Sequence, residues 1–385
     1  MMPIYLDGNA TTPLDPRVAE AMLRASRDIA GNPSSQHWAG RQARRLVETC
    51  RERIAALLGA RTTGQDKDRV IFTSGGTESN NWVLQAWAVP GSRIVLSAIE
   101  HPSLTEAAAV LARRGIDVVR VPAAATGVVS AESFLEHLTP STRLACLMLA
   151  NNETGVLQPV EQLAGLCIPR NIAVHTDAVQ AVGKIPVDFR RLGVTTLAAA
   201  AHKFHGPVGI GVLVVRGGVQ LPALLSGGKQ QDGWRPGTES VVLVAGMCQA
   251  LELAIEEAAQ RWERWRYLQQ RFEEGLRAAI PDIHIIGQEV ARLPNTSHIV
   301  FPGCDRQALF VALDARRLAC SIGSACASGS SEPSPVLQAM GLPEEWIQSA
   351  IRFSMTAFTT EEEIDAAVAR IADAVRQVRQ ATASL

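Results

Sequence analysis

Val70-Ile71-Phe72-Thr73, Ile94-Val95-Leu96-Ser97, Val118-Val119-Arg120-Val121, Leu144-Ala145-Cys146-Leu147-Met148-Leu149, Ala173-Val174-His175-Thr176, Thr196-Leu197-Ala198-Ala199 and Val212-Leu213-Val214-Val215 are short apolar runs lying between residues 70 and 215. Between several of them lie stretches of helical periodicity, among them Glu78–Ala88, Leu104–Arg114 and Val160–Leu166. Apolar strands alternating with helices indicate βαβ units. Strands apolar on both faces indicate a mostly parallel sheet buried between helical layers. The expected fold is α/β, a mostly parallel seven-stranded sheet covered by helices.

Outward from this stretch, Val241 to about Ala279 reads as helix, apolar at first and later charged with Trp262 and Trp265 interleaved. It is expected to lead from one domain into a second. From Pro281 onward strand runs are fewer, the clearest being His298–Phe301 and Ile351–Ser354. The chain then closes on an amphipathic helix with Ile364, Ala367, Ile371, Val375 and Val378 on one face. A smaller α+β C-terminal domain is expected. The division is a large domain over 15–260 and a small one over 1–14 and 261–385, the latter carrying a loop of small residues at about 321–331.

With 385 residues the chain is long enough for two cores. Its 37 basic and 38 acidic side chains leave a net charge of −1, which gives no electrostatic reason to expect nucleic acid or an anionic membrane as partner. No run approaches the ~18 apolar residues that a membrane span requires. The chain enters Tyr5-Leu6-Asp7 without a secretory pattern, so a cytoplasmic protein is expected. The 7 cysteines are odd in number and include no CxxC pair, which argues for a reducing compartment and against a disulfide scaffold.

Thr73-Ser74-Gly75-Gly76-Thr77-Glu78 closes a strand and opens a helix. Small residues there let backbone N–H groups approach an anion. The other reading is an ordinary turn with Thr77 as N-cap. The stretch is neither a Walker A loop nor a GxGxxG fingerprint, and Gly206-x-x-Gly209-x-Gly211 reads as close packing at a strand start. Asp177 follows a strand, with Gln180 three residues on. Open α/β sheets place ligands at such strand ends, although Asp177 could equally cap a helix. Lys203 follows the next run, in Ala199-Ala200-Ala201-His202-Lys203. Desolvated beside a cationic ring, its amine could form a Schiff base; a solvated surface charge is the alternative. His175, Asp177, His202 and His205 suffice in type for zinc, but their spacings match no metal motif. His101, in Glu100-His101-Pro102, is a ligand or a hydrogen-bonded turn residue. Asn151-Asn152-Glu153 occupies the same topological position after its own strand. Several strands thus end in polar groups that could converge on one crevice.

The same residues, with Tyr5-Leu6-Asp7-Gly8-Asn9-Ala10-Thr11-Thr12-Pro13, Gly31-Asn32-Pro33-Ser34-Ser35, Phe72 to Asn80, Asn151-Asn152-Glu153-Thr154-Gly155, Arg235-Pro236-Gly237-Thr238, Ser324-Ala325-Cys326 and Ile351-Arg352-Phe353-Ser354, resemble the cysteine desulfurases. These are class V aminotransferase-like, fold-type I pyridoxal-phosphate enzymes, and the match runs in order over almost the whole chain. The resemblance implies pyridoxal 5'-phosphate held covalently by Lys203, with Asp177 on the pyridine nitrogen and Gln180 on the ring hydroxyl. It implies that His101 stacks on the ring and helps move protons. Gly76, Thr77 and His202 would hold the phosphate, joined by Thr238 from the other subunit of a homodimer. Arg352, with Asn152 nearby, would bind the carboxylate of L-cysteine. Cys326 would take the sulfur as a persulfide for an acceptor protein, such as an iron–sulfur scaffold, or for thiolation. Because the residues around Cys326 are small, a mobile loop is expected there. Glu332-Pro333-Ser334-Pro335 resembles the longer-loop NifS/IscS-like group.

The sequence departs from the family at Ala200, where a serine usually donates to the phosphate, and at His205, Gln231 and Thr356-Ala357. Losing one hydrogen bond to a charged group costs about 1.5–3 kcal/mol, or ~10- to 100-fold in affinity. Weaker cofactor retention is the expected consequence at Ala200. Rival readings are a selenocysteine lyase or small-amino-acid aminotransferase on the same scaffold, and a non-catalytic scaffold protein.

Overall fold

The computed structural model describes residues 2–323 and 332–383. Its central sheet has seven strands in the order Arg69–Thr73, Gly211–Val215, Thr196–Ala200, Ala173–Asp177, Thr142–Cys146, Arg93–Ser97 and Asp117–Val121. All run in one direction except Gly211–Val215, which is antiparallel to both neighbours. The fold is therefore α/β with a mostly parallel sheet.

Side-chain alternation explains why both faces are apolar. Val95, Ala145, Val174, Leu197, Val212 and Val214 point into one core. Ile94, Leu96, Leu144, Cys146, Leu213 and Val215 point into another on the opposite face. Helices Pro16–Asp28, Trp38–Leu57 and Val241–Glu256 pack together on the first side. Helices Gly76–Trp87 and Pro102–Arg113 cover the second.

The strand Gly211–Val215 opens on a glycine where a turn of backbone crosses close to its start. A Cβ on Gly211 would stand 2.6 Å from Ala199 O and 2.8 Å from Gly75 Cα, so a side chain there would displace the turn that opens the helix Gly76–Trp87.

The expected long helix over Val241–Ala279 is in fact two, Val241–Glu256 and Ala258–Ala279. Between them Glu257 leaves helical geometry, at φ −94° and ψ 5°, where its carboxylate meets Arg17 and Arg261. Beyond the break a separate core gathers Ile4, Leu6, Trp265, Phe272, Phe353 and Ile371. It is built on the antiparallel strands His284–Ile285, Thr296–Val300 and Ala350–Ser354, and Ile4–Tyr5 pairs in parallel with Leu318–Ala319. Ile364, Ala367, Ile371, Val375 and Val378 of the last helix are all buried in this core, as their spacing requires. Among the described residues no helix is long and apolar enough to cross a membrane.

Candidate active site

The C-terminal ends of the parallel strands open onto a cavity of about 280 Å³. Gly76, Thr77, His101, Asn152, Asp177, Gln180, His202, Lys203 and Arg352 line it, joined by Asn9 and Ala10 from the N-terminal segment. Thr238 is not among them; it is exposed, on a segment anchored by the Arg235–Glu78 ion pair at 2.9 Å. Cys326 lies outside the described residues. A larger cleft, of about 630 Å³, holds charged groups of both signs and none of these residues.

The residue at the N-cap of the helix Gly76–Trp87 is Gly75, at φ 154°, not Thr77. No side chain caps this helix. Glu78, in its first turn, instead accepts from Ser74 N at 2.7 Å and pairs with Arg235. The first N–H groups are therefore left for a ligand, and an uncapped helix N-terminus lining a cavity is an anion site.

Asp177 Oδ1 accepts from Val179 N at 2.9 Å, and Oδ2 accepts from Asn80 Nδ2 at 2.7 Å. Asn80 Oδ1 in turn lies 2.9 Å from His175 Nε2, whose Nδ1 lies 2.9 Å from Thr196 Oγ1. Burial lowers the His175 pKa to about 3, so this buried chain fixes the carboxylate with a neutral imidazole. His175 is thus a structural histidine. Among the described residues no group of three potential ligands could hold a metal, and the zinc reading does not assemble.

His101 is the N-cap of Pro102–Arg113, with Pro102 at the first helical position. Its Nδ1 accepts from Ser103 N at 3.1 Å, which places the proton of the neutral ring on Nε2. Burial lowers its pKa from the usual 6.5; Asp177 opposes that shift, and Lys203 and Arg352 reinforce it. The turn residue and the cavity-lining residue are one and the same.

Lys203 is no solvated surface charge. Its Nζ donates to Asn9 O at 2.6 Å and Ala10 O at 2.7 Å. Beside it, sequence reasoning gave no role to Lys184, which is buried and donates to Asn9 Oδ1 at 2.8 Å and Gln180 Oε1 at 2.7 Å. Burial, then Lys203 and Arg352, hold the Lys184 pKa well below the ordinary range. Gln180 Nε2 donates to Asn9 O at 2.9 Å, which makes Asn9 a hub under the cavity. The available signal was a lysine inside the apolar run Ala181-Val182-Gly183-Lys184-Ile185.

Arg352 is 1% exposed and arrives from the strand Ala350–Ser354. It donates to Asn152 O at 2.9 Å and to Asp7 Oδ1 at 2.7 Å. Arg352 Nε and Asn152 Oδ1 are buried without a protein partner among the described residues. Buried polar groups are ordinarily satisfied, so two such atoms on residues of one cavity call for a polar ligand. His202 Nδ1 lies 3.2 Å from Thr11 Oγ1, and burial, then Lys203, Lys184 and His101, lower its pKa to about 4.

The departures acquire physical readings here. Gln231 accepts from Phe72 N at 2.8 Å and donates to Phe72 O at 2.9 Å, capping the sheet's edge strand. A glutamate could not make the second bond. His205, at φ 67°, binds Pro13 O through Nδ1 at 2.8 Å and accepts from Ala357 N through Nε2 at 3.1 Å. His205 and Thr356-Ala357 are thus two sides of one contact. Ala200 is buried at the cavity wall, with no hydroxyl to offer an anion.

Chemically, this set can hold a flat aromatic group with an anionic tail, a basic ring nitrogen and an aldehyde. It can also bind a carboxylate. The family model described as aminotransferase class-V matches residues 4–367. A relative from Trichormus azollae, named cysteine desulfurase, is 40% identical over 382 residues, covering 98% of this chain and 94% of that protein. One from Dictyoglomus turgidum, named cysteine desulfurase IscS, is 39% identical over 366 residues, covering 94% and 92%. Among solved structures, a NifS-like protein from Rickettsia africae superposes with a TM-score of 0.89 at 32% identity, covering 97% of this chain and 100% of that one. The chain belongs to the aminotransferase class-V family, on its cysteine-desulfurase branch.

Proposed function

We propose that this chain is a pyridoxal-phosphate-dependent cysteine desulfurase, converting L-cysteine to L-alanine and taking the sulfur on Cys326. The observation that carries the reading is the convergence of Lys203, Asp177, an uncapped helix N-terminus and Arg352 on one cavity. The residues present fit the cofactor. Asp177 is fixed by two hydrogen bonds to meet a protonated ring nitrogen, and the open turn at Gly76-Thr77 with His202 suits a phosphate. When bound, the cofactor supplies an electron sink that makes the substrate Cα–H bond acidic.

The chain's own residues do the rest. Arg352, with its unpartnered Nε, binds and orients the substrate carboxylate, while the unpartnered Asn152 Oδ1 beside it can accept only from a substrate N–H. Lys203 Nζ, aimed into the site by Asn9 and Ala10, holds the cofactor and moves the Cα proton. His101, neutral with its proton on Nε2, is the second proton carrier. The Cys326 thiolate attacks the substrate sulfur: an S–S bond forms, the C–S bond breaks, and alanine leaves. Atoms balance as cysteine plus a thiol giving alanine plus a persulfide.

We infer further a cytoplasmic homodimer in which Thr238 completes the phosphate site of the other subunit, and a protein acceptor that draws sulfur off for iron–sulfur assembly or thiolation. Two activities on the same scaffold are separated by product analysis. A desulfurase releases alanine from cysteine; a lyase does so faster from selenocysteine, and an aminotransferase gives pyruvate from alanine with a keto-acid acceptor. Pyruvate formation exceeding alanine release would replace this reading with the aminotransferase.

Two predictions arise here. Ala200→Ser should tighten cofactor binding ~10- to 100-fold, read as the dissociation constant in a cofactor titration. An unchanged constant would show that the missing hydroxyl has no role. Since the His101 pKa is lowered, the acid limb that His101 imposes on kcat/KM should lie below pH 6.5 and be absent in His101→Gln. A limb above 6.5 that His101→Gln removes would contradict the neutral ring.

A further inference from the structure

Lys184 is not among the residues that line the substrate cavity, yet its amine is tied to two that are. After Asp177 the chain turns as a helix does, Val182 N donating to Ala178 O at 2.9 Å and Ile185 N to Ala181 O at 3.0 Å. Residues four apart then share a side, which sets Lys184 beneath Gln180. Both side chains are buried, so neither amine nor amide can turn to water for a partner.

Those bonds fix which end of each amide faces where. Asn9 O is a carbonyl and can only accept, so Gln180 meets it with Nε2, at 2.9 Å, and turns Oε1 to Lys184 Nζ, at 2.7 Å. The same logic holds for the Asn9 side chain. Its Nδ2 meets the carbonyl Asn152 O at 3.2 Å and Thr296 Oγ1 at 2.9 Å, which leaves Oδ1 to Lys184 Nζ at 2.8 Å. Lys184 therefore stands behind both contacts that orient Gln180, one directly and one through Asn9. The Gln180 amide nitrogen carries a second hydrogen, and among the described residues Asn9 O is its one acceptor. That second N–H is available to a ligand in the cavity that Gln180 lines. Without Lys184, Gln180 Oε1 would be a buried acceptor lacking its donor, a cost that rotation of the amide relieves.

We propose that Lys184 is a positioning residue of the cofactor site, holding the Gln180 amide so that an N–H faces the ring oxygen of pyridoxal phosphate. The inference rests on the function proposed above, with Gln180 as the partner of the ring hydroxyl. An N–H donor favours the ionised ring oxygen, and a carbonyl turned into its place disfavours it. Lys184 touches no reacting atom and acts through Gln180.

The test uses the full-length protein loaded with pyridoxal phosphate, without substrate, and reads the pH midpoint at which the visible absorption of the bound cofactor changes. Lys184→Met removes both donated bonds at similar side-chain length. Its midpoint should rise by about one pH unit or more, the worth of one hydrogen bond to a charged group. Gln180→Leu should raise it as far, and the double variant no further than Gln180→Leu alone. Lys203, Arg352, His202 and His205 around Lys184, with Asp177 and His101 in the cavity, are the same in every variant. A Lys184→Met shift that persists in full beside Gln180→Leu would overturn the proposal, because the lysine would then act without the amide. So would an unchanged midpoint in Lys184→Met. Should circular dichroism show that variant unfolded, Lys184→Gln, which retains an N–H donor, should keep the natural midpoint; a midpoint matching Gln180→Leu would overturn the proposal. A natural protein that takes up no cofactor would overturn the proposed function and this inference together, whereas the other contrary outcomes, read on loaded protein, overturn the inference alone.

Discussion

Lys203→Ala is expected to abolish alanine release from L-cysteine, with kcat/KM falling by at least ~10⁴-fold. The loss combines a covalent hold on the cofactor with a general base worth ~10²–10⁴ by itself. The neighbouring amine, Lys184, is tied to Asn9 Oδ1 and Gln180 Oε1 and is not free to stand in its place. Removing the amine leaves Asn9 O and Ala10 O without its two hydrogen bonds, at a cost of about 1–3 kcal/mol, which the fold should survive. Alanine assay beside circular dichroism separates the two effects. A folded variant keeping more than about a hundredth of the activity would remove Lys203 from the chemistry.

Arg352→Ala should damage both folding and binding. The guanidinium is 1% exposed and joins Asp7 in the N-terminal segment to Asn152 O beside the cavity. Breaking a buried pair by removing one partner costs about 3–5 kcal/mol, and the partly exposed Asp7 places the loss toward the lower figure. Arg352→Lys keeps the charge but loses the fork. It should stay folded while KM for cysteine rises ~10- to 100-fold, the worth of one charge-assisted hydrogen bond. Thermal melts with KM and kcat for both variants check this. A lysine variant with unchanged KM would mean that the substrate carboxylate binds elsewhere.

Most of the sheet was legible because its strands are apolar on both faces and end at polar residues. Asp177, Lys203, His101 and Asn152 share a topological position, and strand order turns that shared position into a shared cavity. What the sequence hid was relational. Asn80 orients Asp177 from a helix 97 residues away, and nothing local marks an asparagine for that task. Asn9 and Lys184 meet only because the N-terminal segment crosses under Gln180. Thr77 looked like an N-cap by residue type, but Gly75 took the position, because its φ of 154° suits glycine. The break at Glu257 was equally invisible, since the partner its carboxylate meets there, Arg17, lies far away in the sequence.

The pairing of His205 with Ala357 shows the same effect in the departures from the family pattern. Read singly, each was an unexplained substitution. In space they form one hydrogen bond between the segment after Lys203 and the segment after Arg352. Gln231 likewise makes sense only against the backbone of Phe72.

The central claim is tested most directly by alanine and sulfide release from L-cysteine by the pyridoxal-phosphate-loaded protein, with reductant present, beside Cys326→Ala. Both products are expected from the natural protein, and neither from a Cys326→Ala variant that still holds the cofactor. Sustained release by Cys326→Ala would contradict the sulfur-transfer role, and a protein that takes up no cofactor at all would contradict the whole reading.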